Sequence, residues 1–158
     1  MFMLTLTSPS FPQDGVIPAR HSGRGEDLSP AFAIGGIPKG AVSLALLLED
    51  TSHPFFRDFP HWLIWNLPPA DALPEGIAPG KTVEIQGTAA VQGAAYGRHR
   101  YAGPKPPPWR RHRYRFTLLA LDCRLNLPPG TGKKGLLQAV EGHILAQAEL
   151  SGWYPKPW

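Results

Sequence analysis

Short stretches of alternating or continuously apolar residues, separated by turns, run along most of this chain. Leu4 and Leu6 alternate with polar threonines, which predicts a half-buried strand over residues 4–7. Residues 42–48 are almost continuously apolar, and a run this short predicts a strand covered on both faces. Further strands are predicted over residues 61–67, bounded by prolines, and over residues 82–86.

The strongest alternation lies in residues 112–121. It puts Tyr114, Phe116, Leu118 and Ala120 on one face of a strand and Arg113, Arg115 and Thr117 on the other. His112 shares the face of Tyr114. We therefore expect a long strand that begins with two polar aromatic side chains pointing the same way.

One helix is predicted near the end of the chain, over residues 132–141. Thr131 is expected to cap its start and Gly142 to end it. A final strand is predicted over residues 143–150, with Ile144, Ala146, Ala148 and Leu150 as its apolar face. The segment between the strands, residues 87–111, is rich in glycine and proline and is expected to be one long, functional loop.

These elements predict a mainly β protein with one or two short helices, as a β-sandwich or a β-barrel. The 19 prolines and 17 glycines indicate many turns and disfavour a helical protein. A chain of 158 residues has the usual length of one domain, so we expect residues 1–158 to form a single domain.

Positive charge is concentrated in one segment, because no acidic residue occurs between Glu84 and Asp122. Seven cations lie there: Arg98, Arg100, Lys105, Arg110, Arg111, Arg113 and Arg115. The segment favours an anionic partner, although a solvated basic face is an equally good explanation. Single-stranded nucleic acid is an alternative, because Tyr96, Tyr101 and Trp109 are interleaved with the cations, but the stiff prolines of the segment favour a pocket wall.

Cys123 is the single cysteine of the chain, so no internal disulfide can form and a reducing cytoplasm is the expected compartment. The thiol is expected to be a small buried apolar group. No apolar stretch is long enough for a membrane helix, and the first ten residues lack the features of an export signal, so we predict an unexported protein without a transmembrane segment.

Polar residues at strand ends are the candidates for chemistry, since such side chains can converge on one rim of the fold. Asp50, His61 and His112 all occupy predicted strand ends, and Tyr114 adds a hydroxyl on the face of His112. A carboxylate can orient imidazoles, and imidazole and phenol can donate hydrogen bonds to an anion. The alternative is a histidine and a tyrosine whose polar groups are satisfied within the core and at its edge.

Other chemistries have weaker signals. Asp50, His53, His61 and His112 could ligate a metal ion, but no close pair of histidines or cysteines supports that reading. No serine lies in a Gly-x-Ser-x-Gly context, so nucleophilic catalysis lacks its usual motif. A hydrolase that uses the Asp50 and His61 pair as acid and base, with His112 in the same cluster, stays open.

A series of motifs along residues 28–156 resembles the phosphatidylethanolamine-binding protein family, particularly its bacterial, Raf-kinase-inhibitor-like branch. The motifs are Ser29-Pro30, residues 47–54, His61-Trp62 with residues 66–68, residues 101–107, His112-Arg113-Tyr114 with Phe116, residues 120–122, residues 142–146 and residues 152–154. The resemblance implies an antiparallel β-sandwich with a small anion pocket near one end.

The resemblance also implies which residues form the pocket. Asp50 matches the first aspartate of the family's Asp-Pro-Asp-Ala-Pro motif, His61 the histidine before a tryptophan, and His112 and Tyr114 the His-Arg-Tyr motif. Thr51 and Ser52 replace the family's proline and second aspartate. Further candidate ligand-binding residues are Tyr101, Gly103, Lys105, Pro106 and Tyr154.

The function expected from these observations is non-catalytic binding of a small anion, such as a phosphoryl or phospholipid headgroup. The pocket needs no metal or cofactor, because histidine, tyrosine and backbone donors can surround an oxyanion. Regulation of a protein partner through the same pocket and a homodimer are further expectations, whereas specific nucleic-acid binding is not. An interaction module with a vestigial pocket is the remaining alternative.

Overall fold

The computed structural model describes residues 3–156. Within this range the chain forms ten strands, one α-helix and a short 3₁₀ turn at Ala19–His21. The strands are β1 (Thr5–Thr7), β2 (Gly15–Val16), β3 (Phe32–Gly35), β4 (Ser43–Asp50), β5 (Phe59–Leu67), β6 (Ala72–Leu73), β7 (Thr82–Ile85), β8 (Thr88–Gln92), β9 (His112–Leu121) and β10 (Ile144–Tyr154), and helix α1 is Lys133–Val140. None of the described helices is long and apolar enough to cross a membrane.

The strands form two sheets that face one another. The large sheet has the order β2-β10-β9-β4-β5-β8-β7, and the small sheet has the order β1-β3-β6. All pairs are antiparallel except β2 with β10, which run parallel. The predicted mainly β sandwich is therefore confirmed, with one parallel pair at its edge.

Strand β4 at the centre of the large sheet is buried along its whole length. Leu44, Leu46 and Leu48 pack in the core between the two sheets, while Ala45 and Leu47 pack in a second core beneath α1. The continuous apolar run of this strand is thus explained, because successive side chains enter two different cores.

Strand β9 has the predicted two faces. Tyr114, Phe116, Leu118 and Ala120 lie in the core between the sheets. Arg113, Arg115 and Thr117 are only partly buried on the opposite face. The parity that directs Phe116 into the core also directs Tyr114 and His112 to the same side, so the core packing positions the candidate site.

Two predicted boundaries before residue 112 are wrong. The segment 87–111 is not one loop, because Thr88–Gln92 pairs with both β5 and β7. Gln86 and Gly87 have φ angles of 49° and 79° and form a two-residue hairpin turn of the type that suits twisted strands. Pro60 lies inside β5 and not before it, at a bulge opposite Glu49, where the missing N–H is tolerated.

Three details after residue 130 also differ from the prediction. Helix α1 begins after Gly132 without a side-chain cap, so Thr131 does not serve as the cap, while Gly142 ends the helical region with a φ of 82°. A bulge between Ile144 and Ala146 reverses the facing of Ile144, which is 41% exposed on the helix side of the sheet. Strand β10 also continues beyond Leu150 to Tyr154.

Candidate functional site

A small cavity lies at the end of the large sheet where β4 ends and β5 and β9 begin. Its volume is about 190 Å³. Its walls are Asp50, His53, Pro54, Phe55, His61, Tyr96, Lys105, Pro106, Pro107, His112 and Tyr114. The four residues on which the sequence-based hypothesis depends, Asp50, His61, His112 and Tyr114, thus meet around one cavity, although 64 positions separate the first from the last.

Sheet topology explains this convergence. Strand β4 runs antiparallel to β5 and to β9, so its last residue lies beside the first residues of both neighbours. Asp50 is in register with Phe59 on one side and with Tyr114 on the other. The site therefore occupies one rim of a rigid sheet, which fixes its side chains more tightly than a loop would.

Asp50 and His112 form a buried hydrogen-bonded pair. The Nδ1 atom of His112 lies 2.7 Å from Oδ2 of Asp50, and both side chains are about 4% exposed. The other carboxylate oxygen, Oδ1, accepts a hydrogen bond from the backbone N–H of Ser52 at 2.8 Å. Since the carboxylate accepts the Nδ1 proton, the second ring nitrogen of His112, Nε2, is left for another partner.

Thr51 and Ser52, which stand where the motif that this chain resembles has proline and a second aspartate, hold this pair in place. The N–H and hydroxyl groups of Thr51 both donate to the carbonyl oxygen of Arg113, each at 2.9 Å. The hydroxyl oxygen of Ser52 accepts from the N–H of Arg113 at 2.9 Å. These bonds tie the end of β4 to the start of β9, between His112 and Tyr114.

His61 is oriented by the backbone of the opposite cavity wall. Its Nδ1 atom donates to the carbonyl oxygen of Ala102 at 2.8 Å, because a carbonyl can only accept. Burial lowers the pKa of His61 below its ordinary value, and the hydrogen bond to Ala102 opposes this only in part. The ring is therefore neutral at pH 7, with its proton on Nδ1 and a lone pair on Nε2.

Tyr114 provides a hydroxyl that stays protonated. Burial, followed by the nearby Asp50 carboxylate, raises the pKa of this phenol far above its ordinary value. Its ring meets the His61 ring edge-on, with centroids 5.5 Å apart. A neutral phenol with one donor proton can bind an oxyanion at any physiological pH.

The other predicted ligand-binding residues fall in different places. Lys105 and Pro106 line the cavity. Gly103 lies behind it, where its N–H donates to Oδ1 of Asp27 at 2.7 Å. Tyr101 is in the core, with its hydroxyl donating to the carbonyl oxygen of His21 at 2.6 Å, and Tyr154 lines a neighbouring groove and accepts a hydrogen bond from Ser22. Tyr101 and Tyr154 therefore do not line this cavity.

Five wall residues were absent from the predicted ligand-binding set: His53, Pro54, Phe55, Tyr96 and Pro107. Two of them, His53 and Tyr96, carry polar aromatic rings. His53 stacks on Phe59 with ring centroids 4.8 Å apart, and Tyr96 lies 4.7 Å from the His61 ring. The sequence carries only weak signals for them, since His53 lies inside the motif that Asp50 begins, and Tyr96 lies in the basic segment between Glu84 and Asp122. Tyr96 reaches His61 only through a left-handed backbone conformation, which no pattern of polarity reveals.

The basic segment does not form one positive surface. Arg113 pairs with Asp14, Arg115 with Glu49, and Arg100 with Asp27, all at N···O distances of 3.1 Å or less. Arg111 stacks on Trp153. Trp109 is exposed while Tyr101 is buried, so the aromatic side chains do not share a surface either. This distribution favours pocket walls over a groove that follows a nucleic-acid strand.

Metal-ligand spacing occurs elsewhere in the described chain. A possible metal-binding group lies at the far end of β9, where Asp122, Cys123 and His143 have donor atoms within 4.8 Å of one another. Within residues 3–156, the carboxylate and imidazole groups of the cavity do not form such a group of three. His143 Nδ1 already binds Asp122 Oδ1 at 2.8 Å. Cys123 is half-buried, a little more accessible than the sequence suggested.

Comparison with known proteins places this chain in a family. The family model for phosphatidylethanolamine-binding protein matches residues 7–155. A UPF0098 protein of Pyrococcus abyssi is 39% identical over 94% of this chain and 84% of its own length. A UPF0098 protein of Chlamydia muridarum is also 39% identical, over 96% of this chain and 98% of its own length.

Solved structures agree with this result. A putative phosphatidylethanolamine-binding protein homologue from Chlamydia trachomatis is 37% identical, with a TM-score of 0.84 over 98% of this chain and 99% of its own. The Escherichia coli protein YbcL, described as a member of the mammalian family, has the same fold with a TM-score of 0.85, at 23% identity over 99% of this chain and 100% of its own. On the strength of the matched family model and the curated relatives, the chain belongs to the phosphatidylethanolamine-binding protein family.

Proposed function

We propose that this protein binds a phosphoryl group or a similar small anion in the cavity formed by Asp50, His61, His112 and Tyr114, without catalysing its turnover. A general ligand-binding role is what membership of the family supports. The observation that carries the finer proposal is the state of His112. Its Nδ1 is fixed by Asp50, while its Nε2 is buried and has no hydrogen-bond partner among the described residues. A buried polar atom of this kind is satisfied when a ligand supplies the missing partner.

The chemistry of the cavity suits a phosphate monoester. Tyr114 supplies one donor, and the Nε2 atoms of His61 and His112 can each share a proton with a phosphoryl oxygen, either as imidazolium donors or as acceptors from a protonated phosphate. Lys105 adds a positive charge at the wall. A cavity of about 190 Å³ is smaller than the usual ligand pocket of roughly 300–1,000 Å³, so it fits a small anion or one headgroup.

An ethanolamine headgroup finds additional support at the mouth. His53, Phe59 and Tyr96 form an aromatic cluster beside His61. Faces of aromatic rings attract ammonium groups, so this cluster can hold an amine attached to the bound phosphate. Phe55 lines the cavity and is 85% exposed. This exposed apolar side chain can contact the tail of a lipid whose headgroup is bound in the cavity.

Binding is favoured over hydrolysis by two features of the geometry. Asp50 hydrogen-bonds to His112 and not to His61, whose partner is a backbone carbonyl, so Asp50 does not orient His61 as a base. The side chains that line the cavity include no serine, threonine or cysteine among the described residues. An aspartate-histidine pair without an adjacent serine, threonine or cysteine orients a bound anion but lacks the nucleophile that such a pair usually activates.

The test is a titration of the protein with inorganic phosphate and with phosphoethanolamine, followed through the imidazole NMR signals. We expect the signals of His61 and His112 to shift, and the signal of His143, which makes a similar bond at the far end of β9, to stay unchanged. Stationary His61 and His112 signals at millimolar ligand would refute the proposal. Tighter binding of phosphoethanolamine than of phosphate would identify the ethanolamine headgroup as the preferred ligand. Binding to vesicles that contain phosphatidylethanolamine would test whether the protein takes the headgroup from an intact lipid.

The hydrolase alternative has its own test. A screen with phosphatase and esterase substrates should give no turnover that His61→Ala abolishes. Reproducible turnover that depends on His61 would replace the binding proposal with a catalytic one.

The proposal also includes a cytoplasmic setting, regulation of a protein partner through the same cavity and a homodimer. Sedimentation of the purified protein tests the dimer directly.

A further inference from the structure

A second, polar cavity of about 230 Å³ adjoins the first one. Its walls are Gly23, Asp27, Tyr96, Arg98, Arg100, Ala102, Gly103 and Lys105. Tyr96 and Lys105 belong to the walls of both cavities, so the two cavities are neighbours that share these side chains. We propose that the second cavity binds a second anionic group of the same small ligand, which would then be a bisphosphate or a phosphate ester that also carries a carboxylate.

The charges of the second cavity support an anion. Asp27 is its only acidic wall residue within the described chain, and both of its oxygens are occupied, Oδ1 by the N–H of Gly103 and Oδ2 by Arg100. Arg100 and Asp27 therefore neutralise one another. Neither Arg98 nor Lys105 has a carboxylate within 4.0 Å among the residues that the structure describes, so the cavity keeps two uncompensated positive charges.

Arg98 is held beside the first cavity by a tight turn. The backbone groups of Ala95 and Arg98 bond to one another at 3.2 Å and 2.8 Å across the turn. The central residues Tyr96 and Gly97 have φ angles of 52° and 67°. A left-handed conformation is unusual for a tyrosine and occurs most often where the surrounding structure imposes it, as at binding sites.

This backbone conformation places the side chains of His61, Tyr96 and Arg98 in a row. The Tyr96 ring contacts the His61 ring at 4.7 Å, and the Arg98 guanidinium lies 5.6 Å from the centroid of the Tyr96 ring. Stacking on the tyrosine restrains Arg98 without using its hydrogen-bond donors. Its planar guanidinium can therefore bind a phosphoryl or carboxylate group beside the one held by His61.

Lys105 lies between the two cavities and is positioned by glycine. A Cβ atom at Gly23 would come within 3.1 Å of the Lys105 side chain, so the lysine stem lies directly over this glycine. The N–H of Gly23 donates to the carbonyl oxygen of Pro104 at 2.8 Å, which fixes the two segments together. The ammonium group at the end of this stem can serve both anionic groups of one ligand.

The inference rests on the proposed function of the first cavity, and the experiment separates the two. Binding is measured by calorimetry for alkanediol bisphosphates of increasing chain length and, as matched controls, for the monophosphate of each diol. We expect at least one bisphosphate to bind on the order of tenfold more tightly than its monophosphate at low salt, with the advantage falling as salt rises. Arg98→Gln should remove that advantage, because it should lower bisphosphate affinity far more than monophosphate affinity.

Arg110→Gln is the charge-matched control, since Arg110 lies in the same basic segment and lines neither cavity. It should leave the bisphosphate advantage intact. A monophosphate that binds as tightly as the bisphosphate at every chain length would overturn the second site and leave the proposed function standing. Equal loss of the advantage in both variants would attribute it to overall charge and also overturn the inference. Absence of binding by either class of compound would overturn both proposals.

Discussion

The carboxylate of Asp50 on β4 holds the imidazole of His112 on β9 through a buried 2.7 Å hydrogen bond. Asp122 and His143 form a bond of nearly the same length, 2.8 Å, at the protein surface, where the two side chains are 44% and 46% exposed. The chain thus contains the same interaction twice, once buried at the proposed site and once in contact with solvent. The comparison isolates the effect of burial.

Asp50→Asn should lower the free energy of unfolding by about 1–3 kcal/mol, because a buried imidazole loses a charge-assisted hydrogen bond. Asp122→Asn should cost less than about 1 kcal/mol, since exposed pairs contribute little. Urea unfolding at pH 7 measures both values. Asp50→Asn should also weaken phosphate binding, which Asp122→Asn should leave unchanged. Equal losses of stability in the two variants would contradict the conclusion that burial strengthens the bond between Asp50 and His112.

The two buried tyrosines near the site allow binding and stability to be separated. Tyr114 lines the cavity, whereas the hydroxyl of Tyr101 donates to His21 in the core. Tyr114→Phe should weaken phosphate affinity by about tenfold with little loss of stability. Tyr101→Phe should leave affinity unchanged and lower the free energy of unfolding by about 1–2 kcal/mol, because the His21 carbonyl loses its donor. Calorimetric titration and urea unfolding check the pair, and a reversed pattern would mean that the sites are misassigned.

Stability should fall in mild acid because two histidines have lowered pKa values in the folded protein. Burial is the main cause for both His21 and His61. The unfolded chain takes up protons near the ordinary histidine pKa of about 6.5, and the folded protein does so only at lower pH. Below about pH 6.5 the unfolded state therefore binds more protons, and the free energy of unfolding decreases as the pH falls.

The measurement is urea unfolding at a series of pH values from about 8 to 5. His61→Gln should reduce the slope of stability against pH below about 6.5. His99→Gln is the control, since His99 is a partly buried histidine whose Nδ1 also bonds a backbone carbonyl, that of Gln92 at 3.0 Å. A stability that is flat across this range would contradict the depressed pKa values.

Gly103 should tolerate no side chain, because a Cβ atom there would lie 2.0 Å from the carbonyl oxygen of His21 and 2.7 Å from Oδ1 of Asp27. Gly103→Ala should lower the free energy of unfolding by about 2 kcal/mol or more, since backbone atoms must move. It should also weaken ligand binding, because the displaced segment carries Ala102 and Lys105. Gly130→Ala, with no atom within 4 Å of the added methyl group, should be neutral or slightly stabilising. Thermal unfolding of both variants decides between these outcomes.

The local pattern of polarity determined the strands that carry most of the site. The alternation in residues 112–121 was enough to place His112 and Tyr114 on the face that Phe116 directs into the core. The continuous apolar run before Asp50 indicated a strand buried on both faces, and it enters two cores. These inferences succeed because side-chain direction along a strand follows from a period of two.

Tertiary contacts decided the direction of side chains outside regular strands, which the two-residue period of a strand does not predict. Tyr101 belongs to the same glycine-rich and proline-rich segment as Lys105, yet one packs on Trp62 in the core and the other lines the cavity. Irregular backbone has no repeating direction, so residue type alone does not show which way each side chain points. The bulge that turns Ile144 to the opposite face has the same origin, since one extra residue reverses the alternation.

The sequence by itself thus determined the class of fold, the family and the four polar residues that emerge at strand ends. Only the folded chain decided that Asp50 pairs with His112 and not with His61, because that choice depends on the order and register of β4, β5 and β9. It also decided which cations of the basic segment stay unpaired. Ion pairing depends on acidic residues far away in the chain, such as Asp14, Asp27 and Glu49, which only the fold brings near.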